Sequence, residues 1–157
     1  AMLGSFAKTL TPALALGYLI VPPALRDRVA DLCLPTSGLV QDAVARYMEA
    51  GGLRRHTARM RKEYRARRAA FIDLFPEGVP MEGGLHAVVP LRADADEDRV
   101  VARCRARGLG VTGMADYWSA RRPRTPGIVL GLGTGSLDRL RERLAVLRRT
   151  IEEGQGL

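Results

Sequence analysis

With 157 residues, 46% of them hydrophobic and a formal charge of +8, the chain is long enough for one ordinary core and too short for two full domains. Its longest apolar runs, Leu14 to Pro23 and Gly127 to Leu132, fall short of the roughly 20 residues that cross a bilayer, and no signal-peptide pattern opens the chain, so a cytoplasmic protein without membrane contact is expected. The positive charge would suit a polyanion, but nearly all the cations are arginine in an Ala-, Leu-, Gly- and Val-rich background typical of a GC-rich genome, and no nucleic-acid partner is expected.

In chain order, Leu16 to Val21 is rich in strand formers, and Pro22-Pro23 stops the strand and suits the first turn of a helix from about Ala24. Cys33 and Cys104 stand far apart with no His or Cys at ligand spacing, so two buried free thiols and no metal are expected. Leu34 to Gly38 breaks the helix, and Leu39, Val40, Ala43, Val44, Tyr47 and Met48 resume helical spacing up to Gly51-Gly52. From Leu53 a longer helix carries a stripe of Leu53, His56, Met60, Tyr64, Phe71 and Leu74 between arginine-rich faces, until Pro76 ends it. The stripe reads as core and the arginine face as solvated.

Shorter elements follow: a strand over Leu85 to Leu91, a helix over Asp94 to Arg107 closed by Gly108, and strands over Val111 to Met114 and Ile128 to Leu132. A last helix over Ser136 to Ile151 has Leu137, Leu140, Leu144, Leu147 and Ile151 on one face and Ser136 able to cap it. The expected fold class is α/β, helices followed by a small α/β domain with a short sheet. The expected divisions are 1–52, a connecting helix over 53–80, and 81–157.

Three stretches carry a resemblance. The first is Gly4-Ser5-Phe6-Ala7-Lys8-Thr9-Leu10 with Pro12 and Leu16-Gly17-Tyr18. The second runs from Gln41 through Gly51 to His56-Thr57-Ala58-Arg59-Met60-Arg61 with Tyr64 and Arg67-Arg68, and the third is Glu82-Gly83-Gly84-Leu85-His86. In this order they resemble the aminotransferase-like domain of MocR/GntR-type proteins, a fold-type-I pyridoxal-phosphate (PLP) domain related to aspartate aminotransferase. The resemblance covers the carboxy-terminal part of that domain, beginning just before its PLP lysine. It implies that Lys8 matches the lysine that forms the Schiff base with PLP and shuttles protons, and that Ser5 matches a hydroxyl donor to the cofactor phosphate.

Departures accompany the match. Ala15 stands where the family places a phosphate-clamping arginine, and Gly127 to Gly131 lacks the arginine that many related aminotransferases use for a substrate carboxylate. The family's phosphate loop, ring-stacking aromatic, ring-nitrogen aspartate and winged helix all precede the lysine, so a degenerate PLP site is expected. Met2 reads as a start behind Ala1, and a naturally short protein is expected.

Fold-type-I sites lie at dimer interfaces, which implies a homodimer or a complementary large-domain chain as partner. Alternatives are a standalone PLP-independent enzyme or ligand-binding protein on the same scaffold, and a non-catalytic dimeric interaction module. For an enzyme without PLP acting on a small molecule, the expected residues are Lys8 as amine, His86 and Asp116 for proton transfer, and Tyr117 and Trp118 for packing the substrate. Without a ligand, His86 reads as a hydrogen-bonded core residue inside an apolar strand and the two aromatics as packing groups.

Overall fold

The computed structural model describes residues 1–80, 85–117 and 125–154. The chain divides into two compact units, Ala1–Met60 and Arg61–Leu157.

The first unit opens on a feature that sequence periodicity does not reveal. Strand β1 (Met2–Ser5) is followed by the one-turn helix α1 (Phe6–Thr9), a 3-10 turn at Pro12–Leu14 and strand β2 (Gly17–Ile20). The strands pair antiparallel, with Met2 opposite Ile20 and Ser5 opposite Gly17. Two glycines permit this ladder: a Cβ at Gly4 would collide with the Tyr18 ring, and one at Gly17 would press on the Gly4 carbonyl. Pro23–Leu25 forms a second 3-10 turn leading into α2 (Arg26–Ala30), and α3 (Gly38–Glu49) follows the break at Leu34 to Ser37. Cys33 is exposed rather than buried, because it falls in the bend between α2 and this break and on no helix face; Cys104 is buried as expected.

Helix α4 (Gly52–Leu74) contributes to both units, so the boundary falls inside the expected connecting helix. Its stripe is buried or half-buried as the spacing predicts, and two further residues join it: Ala70, and Arg67 at 4% exposure.

The second unit is a four-stranded antiparallel sheet with helices. The strands are β3 (Val79–Pro80), β4 (His86–Pro90), β5 (Val111–Gly113) and β6 (Gly127–Gly131), in the order β3-β4-β6-β5. Central β6 is buried from Gly127 to Leu130, as a strand covered on both faces must be. Helix α5 (Glu97–Ala106) starts on an Asp96 cap that accepts from the Arg99 amide at 3.0 Å, and Gly108, at φ +73°, provides the left-handed turn beyond its end. Helix α6 (Leu137–Gly154) buries Leu140, Leu144, Leu147 and Ile151 as its spacing predicts, each worth about 1.5–3 kcal/mol when fully removed from water. Ser136 caps it, accepting from the Arg139 amide at 3.3 Å.

Phe71, Phe75, Val89, Val100, Cys104, Ile128, Leu132 and the α6 leucines form one cluster. Arg67 ties α4 to the turn after β6, with Nη1 donating to the Leu132 carbonyl at 3.0 Å, Nη2 to the Gly135 carbonyl, and Nε and Nη2 to Glu63. Arg107 joins α5 to α6 by donating to Thr150 Oγ1 at 2.7 Å and pairing with Glu153.

Candidate functional site

The Gly4 to Tyr18 motif folds into the β1–β2 hairpin, and its bend carries Lys8. Ser5 ends β1 and caps α1: its Oγ accepts from the Ala7 amide at 3.2 Å, while its carbonyl accepts from the Thr9 hydroxyl. Phe6 donates its amide to the Leu16 carbonyl at 2.9 Å, closing the bend, and its ring lies 5.5 Å from that of Tyr18. These bonds fix the backbone on either side of Lys8, which lies in the single turn of α1 with an exposed side chain. Ser5 Oγ still has its own proton to donate.

Ala15 closes the 3-10 turn at φ +45°, the one described residue other than glycine with positive φ. An alanine offers no guanidinium there. Beside this turn the hairpin presents the Ser5 hydroxyl and the exposed Lys8 amine. A dianionic phosphate requires charged or multiple donors.

Sequence reasoning placed His56 in the helical stripe and in the second family-like stretch, without a partner. In the structure its Nε2 lies 2.9 Å from the Thr9 carbonyl, one residue beyond Lys8, and Arg59 Nη2 lies 3.3 Å from its Nδ1. A carbonyl can only accept, so Nε2 carries the proton and Nδ1 accepts from Arg59. The His56-x-x-Arg59 spacing, one helical turn, was the available signal.

The remaining expected site residues lie in the second unit, and the sheet separates them. His86 begins β4 opposite Gly131, exposed and not in a strand interior. Asp116 and the 62% exposed Tyr117 occupy the 3-10 turn Met114–Tyr117 after β5, beside the Gly127 end of β6. His86 and Asp116 therefore flank opposite ends of a five-residue strand, on the order of 13 Å apart at 3.3 Å per residue, and cannot exchange a proton directly. Trp118 and Glu82 to Gly84 lie outside the described residues. Neither Asp116 nor Tyr117 lines the neighbouring cavity of about 270 Å³, whose walls are Asp96, Glu97, Ala115 and Pro126 with adjacent residues.

Sequence reasoning also missed Glu97, whose side chain accepts from the Ala115 amide at 2.9 Å and the Gly127 amide at 2.7 Å. It is a structural clamp. Burial pushes the Cys104 thiol up, which keeps it protonated. Among the described residues no three His, Cys, Asp or Glu side chains gather as a metal site, and no helix is long and apolar enough to cross a membrane.

No family model matches the chain. Individual proteins do. The HTH-type pyridoxine biosynthesis transcriptional regulator PdxR of Corynebacterium glutamicum is 37% identical over 162 residues, covering 98% of this chain and 35% of the regulator. Aromatic-amino-acid aminotransferase 1 of Thermococcus litoralis is 27% identical over 96% of this chain and 39% of its own length. Among solved structures, the kynurenine aminotransferase of Pyrococcus horikoshii superposes with a TM-score of 0.75 at 26% identity, covering 96% of this chain and 40% of that one. The chain is homologous to MocR/GntR-type regulators and aminotransferases.

Its α/β elements are those of a carboxy-terminal portion of the aminotransferase fold. The chain spans about 35–40% of the length of these relatives.

Proposed function

We propose that this chain supplies the lysine-bearing hairpin and the small α/β domain of a MocR-type aminotransferase-like unit, with a PLP site that its own residues do not complete. The observation that carries this reading is the hairpin itself. Gly4, Ser5, Gly17 and Tyr18 hold the backbone around an exposed Lys8, yet the position matching the phosphate clamp is Ala15. Lys8 would be the residue joined to PLP and Ser5 a donor to its phosphate, with the other contacts coming from elements outside these 157 residues.

The first unit supports a need for such elements, or for a second copy. Leu3, Leu32, Leu34 and Leu39 are each at least 80% exposed, while Leu16 and Val44 are the only hydrophobic side chains before Arg61 that are buried. Apolar exposure on this scale favours association, most simply as a two-fold dimer.

An ultraviolet-visible titration of the purified chain with PLP tests the reading. Weak or absent formation of the lysine-bound PLP band is expected. A stoichiometric band that Lys8→Ala abolishes would show that the chain completes the site alone and would overturn the proposal. Light scattering at micromolar concentration tests the association, and a monodisperse monomer would refute it.

A further inference from the structure

We infer that the first unit contains a second binding site, built for a small phosphate-bearing anion, in the cavity walled by Tyr47, Gly52, Arg55, His56 and Arg59. The cavity holds about 330 Å³, at the small end of ligand pockets, and its lining contains two guanidinium groups, an imidazole and a phenol with no carboxylate.

The cationic groups are held in place. Arg55 Nη1 donates to the Ala50 carbonyl at 2.9 Å, and Arg59 leans on His56 Nδ1, whose ring is anchored to the Thr9 carbonyl. Each guanidinium uses one N–H in these contacts out of five, and the rest remain for a ligand. Tyr47 is fixed as a wall because its ring occupies the place a side chain at Gly52 would need. An anion entering here would meet donors already oriented, which is what makes paired arginines effective toward phosphate.

The arrangement is also unfavourable without an anion. Arg55 and Arg59 stand four residues apart on one helix face, where like charges repel, and α4 has no acidic residue in its first turn to offset them. Among the described residues six arginines pair with carboxylates, including Arg46 with Asp42, Arg67 with Glu63, Arg107 with Glu153 and Arg148 with Glu77 and Glu152. Among the described residues none reaches Arg54, Arg55 or Arg59. A tetrahedral dianion facing Arg55, Arg59 and the Tyr47 hydroxyl supplies the missing negative charge.

The experiment is a titration of the full chain with inorganic phosphate at constant ionic strength, followed by two-dimensional NMR and calorimetry, with sodium malonate as the carboxylate arm and sodium chloride as the screening control. Saturable phosphate binding is expected, with the largest shifts at Tyr47, Gly52 and His56. Arg55→Gln and Arg59→Gln should each weaken it about tenfold, the scale of one lost charge-assisted contact, while Arg26→Gln, outside the cavity, should not. Both arginines are exposed, so the variants are expected to fold, and their unperturbed spectra would verify it. Shifts no larger than those from chloride, binding by the two variants as tight as by the unsubstituted chain, or tighter binding of malonate than of phosphate would each overturn the inference.

Discussion

The carboxylate of Glu97 occupies the space that any side chain at position 113 would need: a Cβ built on Gly113 would collide with Glu97 Oε1. The same carboxylate bridges the Ala115 and Gly127 amides, so one helix residue fixes both the exit of β5 and the entry of β6. Glu97→Ala is expected to destabilise the protein by about 2–3 kcal/mol, since it leaves two amide donors without their charged acceptor. Gly113→Ala should cost about 1–3 kcal/mol as an overpacking change, and much less in the Glu97→Ala background. Urea unfolding of the double-mutant cycle checks this; additive effects would show that the two positions are not coupled.

Arg67 is expected to be the most costly arginine to replace. Arg67→Met removes the donors to the Leu132 and Gly135 carbonyls and leaves the former buried, at an expected cost of about 3 kcal/mol. Arg67→Lys should recover less than half of that, because one ammonium cannot span two carbonyls and Glu63 as the planar guanidinium does. Denaturant midpoints of the three proteins decide it.

Ala15→Gly is expected to stabilise the protein by about 0.5–1 kcal/mol, because φ +45° strains a residue with a Cβ and Ala15 is exposed, so its methyl buries little. A lower thermal midpoint for this variant would show that the methyl group has a packing role that its exposure does not indicate.

Asp94 is held below the usual carboxylate range, first by its hydrogen bond with Arg92 and then by that charge. A carboxylate whose folded pKa is depressed contributes stability above its unfolded pKa, and the contribution is lost as pH falls through the folded value. Both groups are solvated, so salt screens the effect. In an NMR titration Asp94 should protonate at lower pH than a free aspartate, and Arg92→Gln should return it to the ordinary range. A midpoint that does not move would place the cause elsewhere.

Periodicity was enough to locate α3, α4, α5, α6 and the strands β4, β5 and β6, because each long element carries its own apolar repeat. The Gly4 to Tyr18 motif marked Lys8 and Ser5, but not the ladder around them. Strand β1 is four residues long with little side-chain burial, so it leaves no repeat, and its pairing depends on Gly4 and Gly17 lacking Cβ atoms.

By itself, then, the sequence determined the order of the longer elements, the second unit's core and the homology, since these are recorded in local spacing and residue identity. Only the tertiary structure decided which polar side chains matter. Arg67 and Glu97 look like any other charged helix residues until the backbone groups they satisfy, from 18 to 68 positions away, come into reach. His56 met the Thr9 carbonyl across 47 positions, and His86 and Asp116, both plausible as acid or base in sequence, were parted by the length of β6. Long-range hydrogen bonds and strand register depend on how separate segments meet, and no local pattern encodes that.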